Sequence, residues 1–73
     1  MYTEKIQKLE NEILELKKYI KKDKKEIKKR EKILSMVVDN DVENEIEMYK
    51  EEIEKFTNEL ETRKQRVKNY KKL

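Results

Sequence analysis

The sequence predicts an all-α fold, an antiparallel two-helix coiled-coil hairpin. Three observations carry that expectation: apolar residues in alternating steps of three and four, one cluster of turn-forming residues near the middle, and charge blocks that change sign around it. The arrangement that competes with it is a single long helix pairing antiparallel with a second chain, because no Gly or Pro interrupts the pattern.

In the first half the apolar residues fall at Tyr2, Ile6, Leu9, Ile13, Leu16, Ile20, Ile27, Leu34 and Val37, with Asp23 and Arg30 where the pattern skips. Such a stripe is a narrow coiled-coil seam and not the broad face of a globular-core helix. It predicts a first helix over about 3–38, with Thr3 as its N-cap and Glu4 in its first turn.

The turn is expected at about 39–40, within Asp39-Asn40-Asp41. Asn tolerates the left-handed conformation that closes many helices, and Asp and Asn side chains accept hydrogen bonds from the free N–H groups that open the next one. Asn40 followed by Glu43 has capping-box spacing. The second helix, about 41–72, repeats the stripe with Val42, Ile46, Tyr49, Ile53, Phe56, Leu60, Val67 and Tyr70, interrupted by Arg63. The whole chain, 1–73, reads as one hairpin, each helix roughly 50 Å long at 1.5 Å per residue.

Charge sets the pairing direction. Residues 1–16 carry a net −2, 17–32 a net +7, 39–61 a net −8 and 62–73 a net +6. Folding back at the turn lays +7 beside −8 and −2 beside +6, whereas parallel in-register pairing of two chains sets each block against its own copy. A register in which paired residue numbers sum to 76 matches Leu34 with Val42, Ile27 with Tyr49, Ile20 with Phe56, Leu16 with Leu60, Leu9 with Val67 and Ile6 with Tyr70. It leaves Ile53, Ile46 and Ile13 opposite Asp23, Arg30 and Arg63, and predicts flanking pairs Glu10–Lys64 and Glu12–Arg66.

Composition narrows the function classes. With 51% charged and 34% hydrophobic residues the chain would border on disorder were its apolar residues not so regularly spaced. There is no Cys for a disulfide framework and no His, the commonest metal ligand and neutral-pH base. With one Ser, Ser35, no nucleophile–base arrangement can be drawn, so no enzyme and no cofactor are expected. Asp39, Asp41, Glu43 and Glu45 alternate like the start of a calcium loop, but Asn44 and Lys50 stand where such a loop needs Gly and a bidentate Glu, so no metal is expected either. The start lacks the apolar run of a secretory signal and no stretch is a membrane span, which places the expectation in the cytoplasm. Ala, Gly and Pro, whose codons are GC-rich, are absent; this points to an AT-rich natural gene.

Two surfaces are candidate sites. The first surrounds the turn, where Ile33, Leu34, Met36, Val37, Val38, Val42, Ile46 and Met48 outnumber what a two-position seam buries, Ile33, Met36, Val38 and Met48 lying outside it. They either cap the hairpin core or contact a partner or second copy, with Ile33, Met36, Val37, Val38, Val42 and Met48 as the contact residues. The second is basic: Lys17, Lys18, Lys21, Lys22, Lys24, Lys25, Lys28, Lys29 and Arg30, with Arg63, Lys64, Arg66 and Lys68 near the C-terminus. Such residues can neutralise phosphates, yet Lys outnumbers the Arg, Asn and Gln of base readout and Tyr19 alone offers a stacking surface, so a solvated face paired with the acidic half is the expectation. A lone hairpin of this size is marginal, which favours assembly into a homodimer or four-helix arrangement. The function that follows is a non-enzymatic protein–protein interaction module, a small adaptor, inhibitor or assembly factor; the alternative is a nucleic-acid-binding hairpin. No small-molecule substrate and no membrane is expected as a partner.

Overall fold

The computed structural model describes residues 2–72; Met1 and Leu73, the ends of the expected unit, lie outside the described residues. Two helices, α1 (Thr3–Leu34) and α2 (Asn40–Lys72), lie antiparallel in a hairpin 56 Å long and about one helix thick. The chain folds back on itself, so the continuous helix is not the arrangement adopted. Among the described residues no helix is long and apolar enough to cross a membrane.

The seam follows the heptad. Leu9, Leu16 and Ile27 of α1 and Ile46, Leu60 and Val67 of α2 are buried. Leu9 with Val67 and Leu16 with Leu60 are partners in the expected register, and the cross-helix contacts Arg30–Glu45, Arg63–Glu12 and Tyr19–Phe56 keep it to within one residue. No described side chain is fully buried, the consequence of a core covered by only two helices. Two flanking pairs differ from expectation: Glu10 bonds Lys71 at 3.6 Å, not Lys64, and Glu12 bonds Arg63 at 2.8 Å, not Arg66. A half-exposed long side chain selects among neighbours one or two turns apart, and spacing alone does not rank them.

The turn occupies residues 35–39, so α1 ends four residues before the expected Val38. The Met36 amide donates to the Ile33 carbonyl at 3.0 Å, a tightened last turn, and the Ser35 hydroxyl donates to the Lys32 carbonyl at 2.6 Å. Ser competes with helix in this way, and the β-branched Val37 and Val38 that follow have low helix propensity. No described residue has a positive φ, so the turn does not use the left-handed Asn conformation. Asp39 is the cap in place of Asn40: its Oδ1 accepts from the amides of Asp41 at 3.0 Å and Val42 at 3.4 Å, while its carbonyl takes the first helical bond from Glu43. At the other end Tyr2, not Thr3, holds the cap position and makes no side-chain cap bond. Its ring lies 5.1 Å from that of Tyr70, so packing sets where α1 begins.

Asp39→Ala should lower stability by about 1 kcal/mol and Asn40→Ala by clearly less, measured as urea midpoints at unchanged slope. A larger loss for Asn40→Ala would restore the capping box.

Candidate interaction surfaces

Ile33, Met36, Val37 and Val38 are exposed around the turn, Met36 by 71% and Val38 by 91%. Leu34 and Val42 are half-buried and Ile46 is buried, so these three close the core while the other four face solvent. Core capping therefore describes Leu34, Val42 and Ile46, and not Ile33, Met36, Val37 or Val38. Met48, also exposed, borders a groove with Arg30, Glu45, Tyr49 and Glu52.

The hairpin has two broad faces, each with grooves between the helices. One groove is lined by Tyr19, Lys22, Asp23, Glu26, Tyr49, Glu52 and Phe56, and another at similar height by Lys17, Ile20, Lys21, Lys24, Thr57 and Leu60. Two grooves between the same two helices at one height lie on opposite faces. Ile33 stands two heptads from Tyr19 and Met48 adjoins Glu52, so Tyr19, Ile33 and Met48 share the first face. Leu14, one heptad before Lys21, belongs to the second.

The skips at Arg30 and Arg63 are built features of that first face. Arg30 Nη1 donates to Glu26 and its Nε to Glu45 across the seam, both at 2.6 Å, with the guanidinium 4.7 Å over the Tyr49 ring. Arg63 repeats this: Nε donates to Glu12 across the seam at 2.8 Å, and Nη1 approaches Glu59, one turn back, at 3.9 Å. Each Arg also donates to the carbonyl of that preceding Glu at 3.2 Å. The Arg30 hydrogen bond holds Glu26 below its ordinary carboxyl pKa, the Arg63 hydrogen bond does the same for Glu12, and Glu26 and Glu45 push Arg30 higher.

The sequence carries a signal for these clamps that the heptad reading missed. Residues 9–30 recur at 42–63, a shift of 33, with nine of the 22 positions identical, including Glu10-Asn11-Glu12-Ile13 against Glu43-Asn44-Glu45-Ile46 and Glu26/Arg30 against Glu59/Arg63. A repeat folded antiparallel has an approximate two-fold axis at its centre, which is why one Arg clamp stands in each half.

The basic residues do not form one patch. Lys17 to Arg30 lie on α1 in the half near the turn, whereas Arg63, Lys64, Arg66 and Lys68 lie on α2 beside the N-terminal half of α1. Pairing of the first group is narrower than expected: within the block, ion pairs involve Lys29, with Glu26, and Arg30. Among the described residues Lys17, Lys18, Lys21, Lys22, Lys24, Lys25 and Lys28 have no carboxylate within 4.0 Å. Lys17, Lys21 and Lys24 line an inter-helix groove whose α2 wall is Thr57 and Leu60, neither of them an acid. Of the acids in the calcium-like run, Asp39 caps α2 and Glu45 serves Arg30.

Asp23, another skip, is 7% exposed, and its Oδ2 has no hydrogen-bond partner among the described residues. Burial raises its pKa above 3.8, the adjacent Lys22 offsetting this in part. A raised pKa means the folded state holds the proton more tightly, so the charged form destabilises the hairpin above the folded-state pKa. Asp23→Asn should therefore be more stable than the parent near pH 7. That gap should shrink as pH falls from the raised pKa toward 3.8 and be smallest below it, as followed by urea denaturation across pH. A pH-independent gap would mean that Asp23 is solvated.

No protein-family model, no curated protein and no solved structure matches this chain, so its function must be argued from these surfaces.

Proposed function

We propose that this chain is a non-enzymatic protein-binding module, a small adaptor, inhibitor or assembly factor, which offers its coiled-coil faces and apolar turn to a protein partner. The observation that carries the reading is the exposure of Ile33, Met36, Val37 and Val38 together at one end. A cluster of this kind costs solubility unless something covers it, and exposed apolar clusters mark contact sites.

Met36→Glu combined with Val38→Glu should lower the solution mass, or remove the partners retained on immobilised hairpin and identified by mass spectrometry, with far-UV helicity largely kept. Leu14→Glu, on the second face, should change neither. A turn variant that keeps both its mass and its partners would reduce the cluster to a solvated cap.

A second reading, binding of nucleic acid, is favoured by the seven α1 lysines without an ion partner. Against it, the acidic half of α2 runs parallel to them and lowers the field a phosphate would meet. Labelled DNA and RNA titrated at rising salt should bind no more tightly than the non-specific range of about 10⁻⁴–10⁻⁶ M at physiological salt. Tight binding that falls steeply with salt and is lost on charge reversal of Lys21, Lys22, Lys24 and Lys25 would make this the function.

A further inference from the structure

We infer that the partner is a second copy of this chain, docked on the face that carries Tyr19, Ile33 and Met48. The two turns lie at the same end, and α1 of each copy lies over α2 of the other. This rests on the protein-binding reading and adds to it the partner, the face and the orientation.

The internal repeat acts as a control for what the scaffold needs. Its shift of 33 sets Met48 against Glu15 and, carried three residues past the matched stretch, Ile33 against Arg66. The two halves of this face thus share one Arg-clamped framework, but Ile33 and Met48 near the turn are apolar where Arg66 and Glu15 at the far end are charged, while Tyr19 stands against Glu52 nearer the middle. The hairpin itself folds with charge at such positions. Apolar side chains at Ile33 and Met48, 44% and 66% exposed, therefore answer to something outside the hairpin.

Charge identifies that something. A two-fold axis along the hairpin's length sets the +7 block of each α1 over the −8 block of the other α2, and the −2 end over the +6 end. At the level of individual residues it brings Lys22 over Glu52 of the other copy, twice by symmetry, because the two stand at nearly the same height on the same face. Among the described residues neither has an ion partner within the hairpin. The other two-fold stacking, turns at opposite ends, also pairs opposite blocks, but it lays Ile33 and Met48 on the charged far half. Same-end stacking instead gathers Ile33, Met48 and the apolar turns of both copies at one end, and their shared burial there selects it.

The test uses charge reversal in trans on the full chain. Lys22→Glu and Glu52→Lys, both at exposed positions, should each keep their helicity and each weaken the dimer about tenfold or more by sedimentation equilibrium. Mixed in equal amounts they should form a heterodimer near the parent affinity, since Glu at 22 then faces Lys at 52 and Glu52 faces Lys22. Repair of a contact within one hairpin cannot produce rescue between chains. Ile33→Lys with Met48→Lys should also dissociate the dimer. Failure of the mixture to associate, or a parent chain monomeric at high concentration, overturns the inference. A parent dimer lost in the turn variant but not rescued in trans leaves the protein-binding reading standing with another orientation. A monomeric parent whose other partners depend on the turn leaves that reading standing with another partner.

Discussion

Two helices alone cannot enclose a core, and most of what is particular to this chain follows from that constraint. Each seam residue is covered from one direction by the opposite helix and left partly open on both flanks, which is why even the best-buried leucines keep some exposure. Apolar burial is then too thin to dictate register by itself, and the flanks must help. Arg30 and Arg63 do so by lying across the seam, each tying an acid of its own helix to one of the other. Exposed ion pairs contribute little net stability, but a guanidinium held by two carboxylates and its own helix carbonyl fixes a distance between helices. A slip by one heptad would strand both clamps at once.

Asp23 works in the opposite sense. It stands at a seam position where Leu or Ile would pack, and it leaves a carboxylate oxygen without a partner midway along the hairpin. The cost is confined to one layer, between the Tyr19–Phe56 contact and the Arg30 clamp. A polar residue at one seam position also disfavours registers that bring it against a second polar layer.

The helices, their direction and their register were legible because heptad spacing and charge blocks are long-range patterns, and errors at single residues average out over thirty positions. The turn was legible only in outline. Asp39, Asn40 and Asp41 are all good caps, and the choice fell to the residue reached first after Ser35, Val37 and Val38 had ended α1. Reading Asp23, Arg30 and Arg63 as gaps in an apolar stripe hid what they do, since a heptad template has no place for a side chain that spans the seam. Comparing the chain with itself at a shift of 33 recovers the clamps without coordinates.

That comparison also separates scaffold from surface. Glu12 and Glu45, like Arg30 and Arg63, agree between the two halves, and these four hold helix to helix. Where the halves differ on exposed positions, the difference is free of the demands of folding: Ile33 and Met48 near the turn stand against Arg66 and Glu15 at the far end. An antiparallel pair built from two equal halves has no intrinsic direction. Ile33 and Met48, with Met36, Val37 and Val38 at the turn itself, give this one an end that water does not favour, and so the hairpin can bind with a defined polarity although its framework is nearly symmetric.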